Sequence, residues 1–149
     1  MRYSEYLQYL DSTAMVPRKY YLYYSSGLTG EAQEFCDDPS TDELGDIIWY
    51  FSILHLTYRG HGLAFAKKEV QIAKPRNDIF TIDLNTQIEL MKSCAELGQL
   101  LNKQCRKEYK RKDWSYQSET FKSLNHDIDD IKEGIRLKLG TMSWQIFKI

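Results

Sequence analysis

Proline, cysteine and histidine are scarce in this chain of 149 residues, with three of each. Pro17, Pro39 and Pro75 stand far apart, where helical periodicity breaks, and punctuate the chain without forming a Pro-rich linker. Cys36, Cys94 and Cys105 are odd in number and never form Cys-x-x-Cys, which argues against a zinc knuckle or a disulfide framework and points to a reducing cytoplasm. His55, His61 and His126 are scattered and show no zinc or haem spacing. Long hydrophobic runs are absent: the longest, Ile47 to Leu54 interrupted by Ser52, falls well short of the roughly 20 residues that span a bilayer. Met1 to Tyr6 contains no apolar stretch of signal-peptide type. Net charge is also lacking, with 20 Lys and Arg against 21 Asp and Glu, which disfavours a bulk nucleic-acid binder.

The neutral total hides a split. Residues 1–50 hold nine acids and three bases, whereas residues 51–149 hold 12 acids and 17 bases. Apolar residues recur at helical spacing almost throughout, so the expected fold is all-α in a single domain, 1–149. Helices are expected over Tyr3–Thr13, Lys19–Asp37, Asp42–Arg59 and from Asp83 or Asn85 to about Lys112. A further helix runs from Glu119 to Leu139, is stopped by Gly140, and is followed by a short terminal helix from Met142 to Ile149. The fourth helix should turn Ile88, Met91, Ala95, Gly98, Leu101 and Cys105 inward. A shorter segment spans Leu63–Lys74, and only Ile79 to Ile82 has any strand character.

The informative stretch is acidic. Glu31 and Glu34, and again Glu43 and Asp46, are three residues apart, which puts each pair on one helix face. Two antiparallel helices joined by a tight loop bring all four carboxylates together, and they repel unless cations lie between them. Oxygen ligands without His or Cys favour Mg²⁺, or Mn²⁺, over zinc or copper. Acidic pairs on helices are commonly no more than a solvated face. Here the other faces of both helices are already apolar, and Gly30 and Gly45 imply close helix approach. Cations held at such a site neutralise anionic charge and make a water nucleophilic, and one carboxylate of the Glu31/Glu34 pair could take its proton. Trp49 and Tyr50, one turn beyond Asp46, could stack on a base or simply pack, and Tyr21 and Tyr24 read as core.

Glu31-x-x-Glu34 with Glu43-x-x-Asp46, set in Gly27-Leu28-Thr29-Gly30-Glu31-Ala32 and Glu43-Leu44-Gly45-Asp46-Ile47-Ile48-Trp49-Tyr50, resembles MazG-like nucleoside triphosphate pyrophosphohydrolases. Tyr6-x-x-Tyr9 with Thr13-Ala14 looks like the opening helix of small, often phage-borne members, and the similarity covers about residues 3–60. It implies an all-α bundle of the all-α NTP pyrophosphatase type, with Mg²⁺ held by Glu31, Glu34, Glu43 and Asp46. It also implies cleavage of a nucleoside triphosphate to monophosphate and pyrophosphate, in nucleotide-pool sanitation or rebalancing. Lys67, Lys68, Lys74 and Arg76 are the local candidates for the basic pattern of the family's tail. A homodimer is expected, because the family builds its pocket between paired helical hairpins. The competing expectation is a non-catalytic helical module that binds a nucleotide or a protein.

Two later features complete the reading. Ala95-Glu96-Leu97-Gly98-Gln99 and Asp127-Ile128-Asp129-Asp130-Ile131 echo the two acidic segments. Residues 1–75 would then be an intact half and 83–149 an eroded second copy, keeping Glu96, Asp127 and Asp130, so that the chain is a tandem pseudo-dimer. Lys103, Arg106, Lys107, Lys110 and Arg111 form one basic stripe on the fourth helix. It is either a solvated face or an attractor of a triphosphate; nucleic acid is the less favoured partner.

Overall fold

A computed structural model describes residues 2–13, 16–17, 19–59 and 82–147. Five helices and no strand occur among them: α1 (Tyr3–Thr13), α2 (Tyr21–Asp37), α3 (Thr41–Tyr58), α4 (Leu84–Arg111) and α5 (Glu119–Phe147). The all-α expectation holds for this part of the chain. The Leu63–Lys74 segment and the Ile79–Ile82 stretch fall outside the described residues, apart from Ile82 itself.

Local chemistry sets the helix ends. Ser40 caps α3 by accepting from the Glu43 amide at 3.2 Å, and Asp42 and Glu43 complement the positive end of that helix. Asp83 caps α4, accepting from the Thr86 amide at 2.7 Å, and Ser118 Oγ accepts from the Phe121 amide at 3.1 Å at the start of α5. At the end of α3, Arg59 adopts the left-handed conformation with φ 50°, and its amide donates to the His55 carbonyl.

The helices form two antiparallel hairpins side by side. The three-residue link Asp38-Pro39-Ser40 folds α2 onto α3, and residues 112–118 fold α4 onto α5. Packing of α2 on α4 joins the hairpins, while α1 and α5 both lie against α3. The shared core includes Tyr3, Leu10, Leu28, Phe35, Phe51, Leu97, Leu101, Ile135 and Leu139, all essentially inaccessible to water. Within it Tyr3 Oη meets Ser52 Oγ at 3.0 Å and His55 Nδ1 at 3.2 Å, so the polar atoms of a buried tyrosine are satisfied. Arg136 of α5 donates from Nε to the Tyr58 carbonyl at 2.8 Å and so closes the C-terminal end of α3.

Two expectations about the later helices are corrected. Gly140 does not end α5, which continues to Phe147. A helical glycine costs about 1 kcal/mol, but Met142, Ile146 and Phe147 beyond it are buried. Each such side chain contributes roughly 1.5–3 kcal/mol, so burial wins. On α4 the inward face is Leu90, Cys94, Leu97, Leu101 and Gln104; Ile88 is 54% exposed and Ala95 faces water. The chosen face carries the larger side chains, and a core filled by Leu90 and Leu97 buries more apolar area than one filled by Ala95 and Gly98.

Candidate metal centre

The tight α2–α3 turn puts Glu31 across from Asp46 and Glu34 across from Glu43. One carboxylate oxygen each from Glu31, Glu43 and Asp46 lies within 4.8 Å of the others. Opposite ligands of one octahedral Mg²⁺ are roughly 4.2 Å apart, so three oxygens this close need little movement to share a hard cation. Glu34 is exposed and flanks this trio, with its side chain within hydrogen-bonding reach of both Glu31 and Glu43.

The electrostatics are those of crowded, partly dehydrated acids. Burial, followed by the charges of Asp46 and Glu34, pushes the Glu31 carboxyl up to about 7. Glu43 is raised by burial and then by Glu34 and Asp46; Asp46 is raised by burial and then by Glu34 and Asp42. Oε2 of Glu31 and Oε2 of Glu43 are buried and have no hydrogen-bond partner among the described residues. Buried acceptors without donors are rare and costly; Gln145 Oε1, outside the cluster, is a third.

The surroundings differ from the sequence expectation in one respect. A Cβ on Gly30 or on Gly45 would meet nothing within 4 Å, so neither glycine marks the close helix approach inferred from it. That role belongs to Gly27, where a Cβ would lie 2.1 Å from the Tyr50 ring. Tyr50 and Trp49 are half-buried and pack edge to face at 4.9 Å, with Tyr24 about 6 Å from each, so packing accounts for much of their ring surface. Tyr24 is core as expected, Tyr21 is half-buried, and Tyr20 and Tyr23 are exposed.

Tyr6 and Tyr23 are neighbours of this centre that sequence reasoning did not assign to it. Tyr6 on α1 is pushed up to about 12, by burial first, then by Tyr9 and Asp46. Tyr23 reaches Tyr50, whose hydroxyl is raised by burial and by Tyr23, with smaller contributions from Glu31 and Asp46. Tyr6 entered through the Tyr6-x-x-Tyr9 likeness of the opening helix, and Tyr23 carried no signal that separated it from the neighbouring tyrosines. Lys67, Lys68, Lys74 and Arg76 lie outside the described residues.

The acidic residues of the second hairpin do not converge. Glu96 pairs with Lys138, and Lys107 with Asp127 at 3.2 Å, so α4 and α5 meet in a register that sets Asp130 level with Gln104. Glu96 and Asp130 are therefore about 12 Å apart along the helix axis. The place across from Glu96 that Asp46 holds across from Glu31 is taken by Lys138, a built-in cation. Two of the five residues of the basic stripe are likewise engaged: besides Lys107, Arg111 donates to Asn125 Oδ1 at 2.6 Å.

No protein-family model, no characterised relative and no solved structure matches this chain. Among the described residues, no helix is long and apolar enough to cross a membrane.

Proposed function

We propose that this chain is a Mg²⁺-dependent nucleoside triphosphate pyrophosphohydrolase, cleaving between the α and β phosphates to yield a nucleoside monophosphate and pyrophosphate. The observation that carries the reading is the convergence of Glu31, Glu43 and Asp46 with two buried carboxylate oxygens that lack donors. Likeness of the acidic motifs to MazG-like enzymes supplies the reaction type, and the donor set of oxygens alone suits Mg²⁺ or Mn²⁺.

Glu31, Glu43 and Asp46 would hold the metal. Bound there, Mg²⁺ supplies charge neutralisation and Lewis acidity toward the phosphoryl oxygens. Glu34, outside the trio but within reach of two of its members, is the carboxylate left to accept the proton of the attacking water. The half-buried rings of Trp49 and Tyr50 border the site and offer an apolar edge to a base. A homodimer of this kind of bundle would complete the pocket from a second hairpin.

Pyrophosphate release from a panel of ribo- and deoxynucleoside triphosphates with Mg²⁺ tests the reading. Glu34→Ala and Asp46→Ala are each expected to lower turnover by about a hundredfold or more. Unchanged turnover in both variants removes the assignment. Absence of any metal-dependent turnover in the unaltered protein leaves the non-catalytic binding module.

A further inference from the structure

The end of α2 remote from the carboxylates carries a second concave feature. A cavity of about 720 Å³ lies between the start of α2 and the last turns of α4, walled by Val16, Tyr20, Tyr21, Leu22, Tyr23 and Tyr109. Its size is that of a small-molecule site. Tyr20 is 52% exposed, Tyr23 48% and Tyr109 65%, so rings that ordinarily seek burial are held open around a hollow.

Among the described residues one lysine, Lys19, lines the cavity, and a second, Lys112, stands over the ring of the lining residue Tyr109. The Lys19 ammonium stands 5.3 Å from the centre of the Tyr20 ring, and that of Lys112 stands 3.9 Å from the centre of the Tyr109 ring. The lining acid, Glu108, is already engaged: the Tyr21 hydroxyl donates to its Oε1, Gln104 Nε2 donates to the same oxygen at 3.3 Å, and Arg111 stands 4.0 Å from the other. An incoming group meets aromatic faces and the Lys19 ammonium, with that of Lys112 beside Tyr109 at the rim.

We propose that this cavity binds a planar aromatic ring bearing an anionic group, with the ring against Tyr20 and Tyr109 and the anion at Lys19 and Lys112. Tyr23 also reaches Tyr50 beside the carboxylates, but Tyr20 precedes Glu31 by eleven residues, about 16 Å along the helix, so the ring-and-anion site lies away from the cluster and does not rest on the hydrolase reading. A nucleoside monophosphate and an aromatic carboxylate share this chemistry.

The probe is 8-anilinonaphthalene-1-sulfonate, titrated by fluorescence into the folded, full-length chain in EDTA, with its neutral counterpart N-phenyl-1-naphthylamine alongside. The expected result is saturable one-to-one binding of the anion, at least tenfold tighter than the neutral ring. Tyr109→Ala, and separately Lys19→Glu with Lys112→Glu, should each weaken it at least tenfold with an unchanged melting temperature, since these side chains lie at the surface. Displacement by adenosine monophosphate or by indole-3-acetate identifies the source of the natural anion. No saturable binding, equal affinity for the neutral ring, affinity unchanged in both variants, or displacement by neither competitor overturns the proposal. A tenfold response to Mg²⁺ or to Asp46→Ala overturns its independence from the carboxylate cluster, whereas loss of hydrolysis alone leaves it standing.

Discussion

Three glycines near the carboxylates have opposite consequences for substitution. Gly27 has no room for a methyl group, because its Cβ would fall 2.1 Å from a Tyr50 ring already held by Tyr24 and Trp49. Gly27→Ala is expected to destabilise by about 1–3 kcal/mol, as overpacking does. Gly30 and Gly45 have nothing within 4 Å of that position. Gly30→Ala or Gly45→Ala should therefore stabilise by about 0.5–1 kcal/mol, since alanine is the better helix former. Urea denaturation of the three variants checks this directly, and a stabilising Gly27→Ala would contradict the packing described. The residue pattern alone singled out Gly30 and Gly45, the two that flank the acids. It could not reveal which glycine faces a ring on the neighbouring helix, because that depends on how the hairpin closes.

At the scale of elements, single polar contacts fix how helices end and meet. The Arg136 guanidinium on the Tyr58 carbonyl joins the end of α3 to the middle of α5, and the same side chain pairs with Glu133 at 3.0 Å. Arg136→Ala is expected to cost about 1–2 kcal/mol, the worth of a charge-assisted hydrogen bond to a helix terminus. Thermal unfolding measures it, and a variant as stable as the parent would show that water satisfies the carbonyl equally well. Helix bounds were largely legible: α1 coincides with its periodic stretch, and α3 and α4 begin within a residue of where they are expected. Gly140 misled because its local penalty is outweighed by the buried residues that follow it. Where Glu96 and Asp130 come to lie was not legible, since similarity of short segments does not set the register between α4 and α5.

For the molecule as a whole, the acidic centre makes stability depend on pH and on metal. Glu31 has a folded-state value of about 7, above its ordinary one, so its contribution favours the fold in acid and is lost as pH rises through about 7. Glu43 and Asp46, also raised, act in the same direction. Glu96, held low by Lys138, and Asp83, held low by its cap to Thr86, act oppositely and lose their contribution as pH falls through the carboxylate range. In EDTA, stability should therefore peak in mildly acid solution and decline toward pH 8. Mg²⁺ at a hundred times its dissociation constant should add about 2.7 kcal/mol at neutral pH. Guanidinium denaturation across pH 4–8 with and without Mg²⁺ reads both effects. A metal-free protein that grows steadily more stable up to pH 8 would mean that the carboxylates do not crowd one another.

The amino-acid sequence by itself determined that the chain folds into helices, where most of them begin, and that four carboxylates would come from two of them at matching spacing. Those are properties of period and cap, carried by a few neighbouring residues. Tertiary structure alone decided which face of α4 turns inward, that α5 runs through Gly140, and that Glu96 meets a lysine instead of a second acidic pair. It also decided that the exposed tyrosines at the start of α2 gather with Tyr109 around a hollow. Each of these depends on the rotation and register of one helix against another, which are set by the summed packing of side chains distant in sequence.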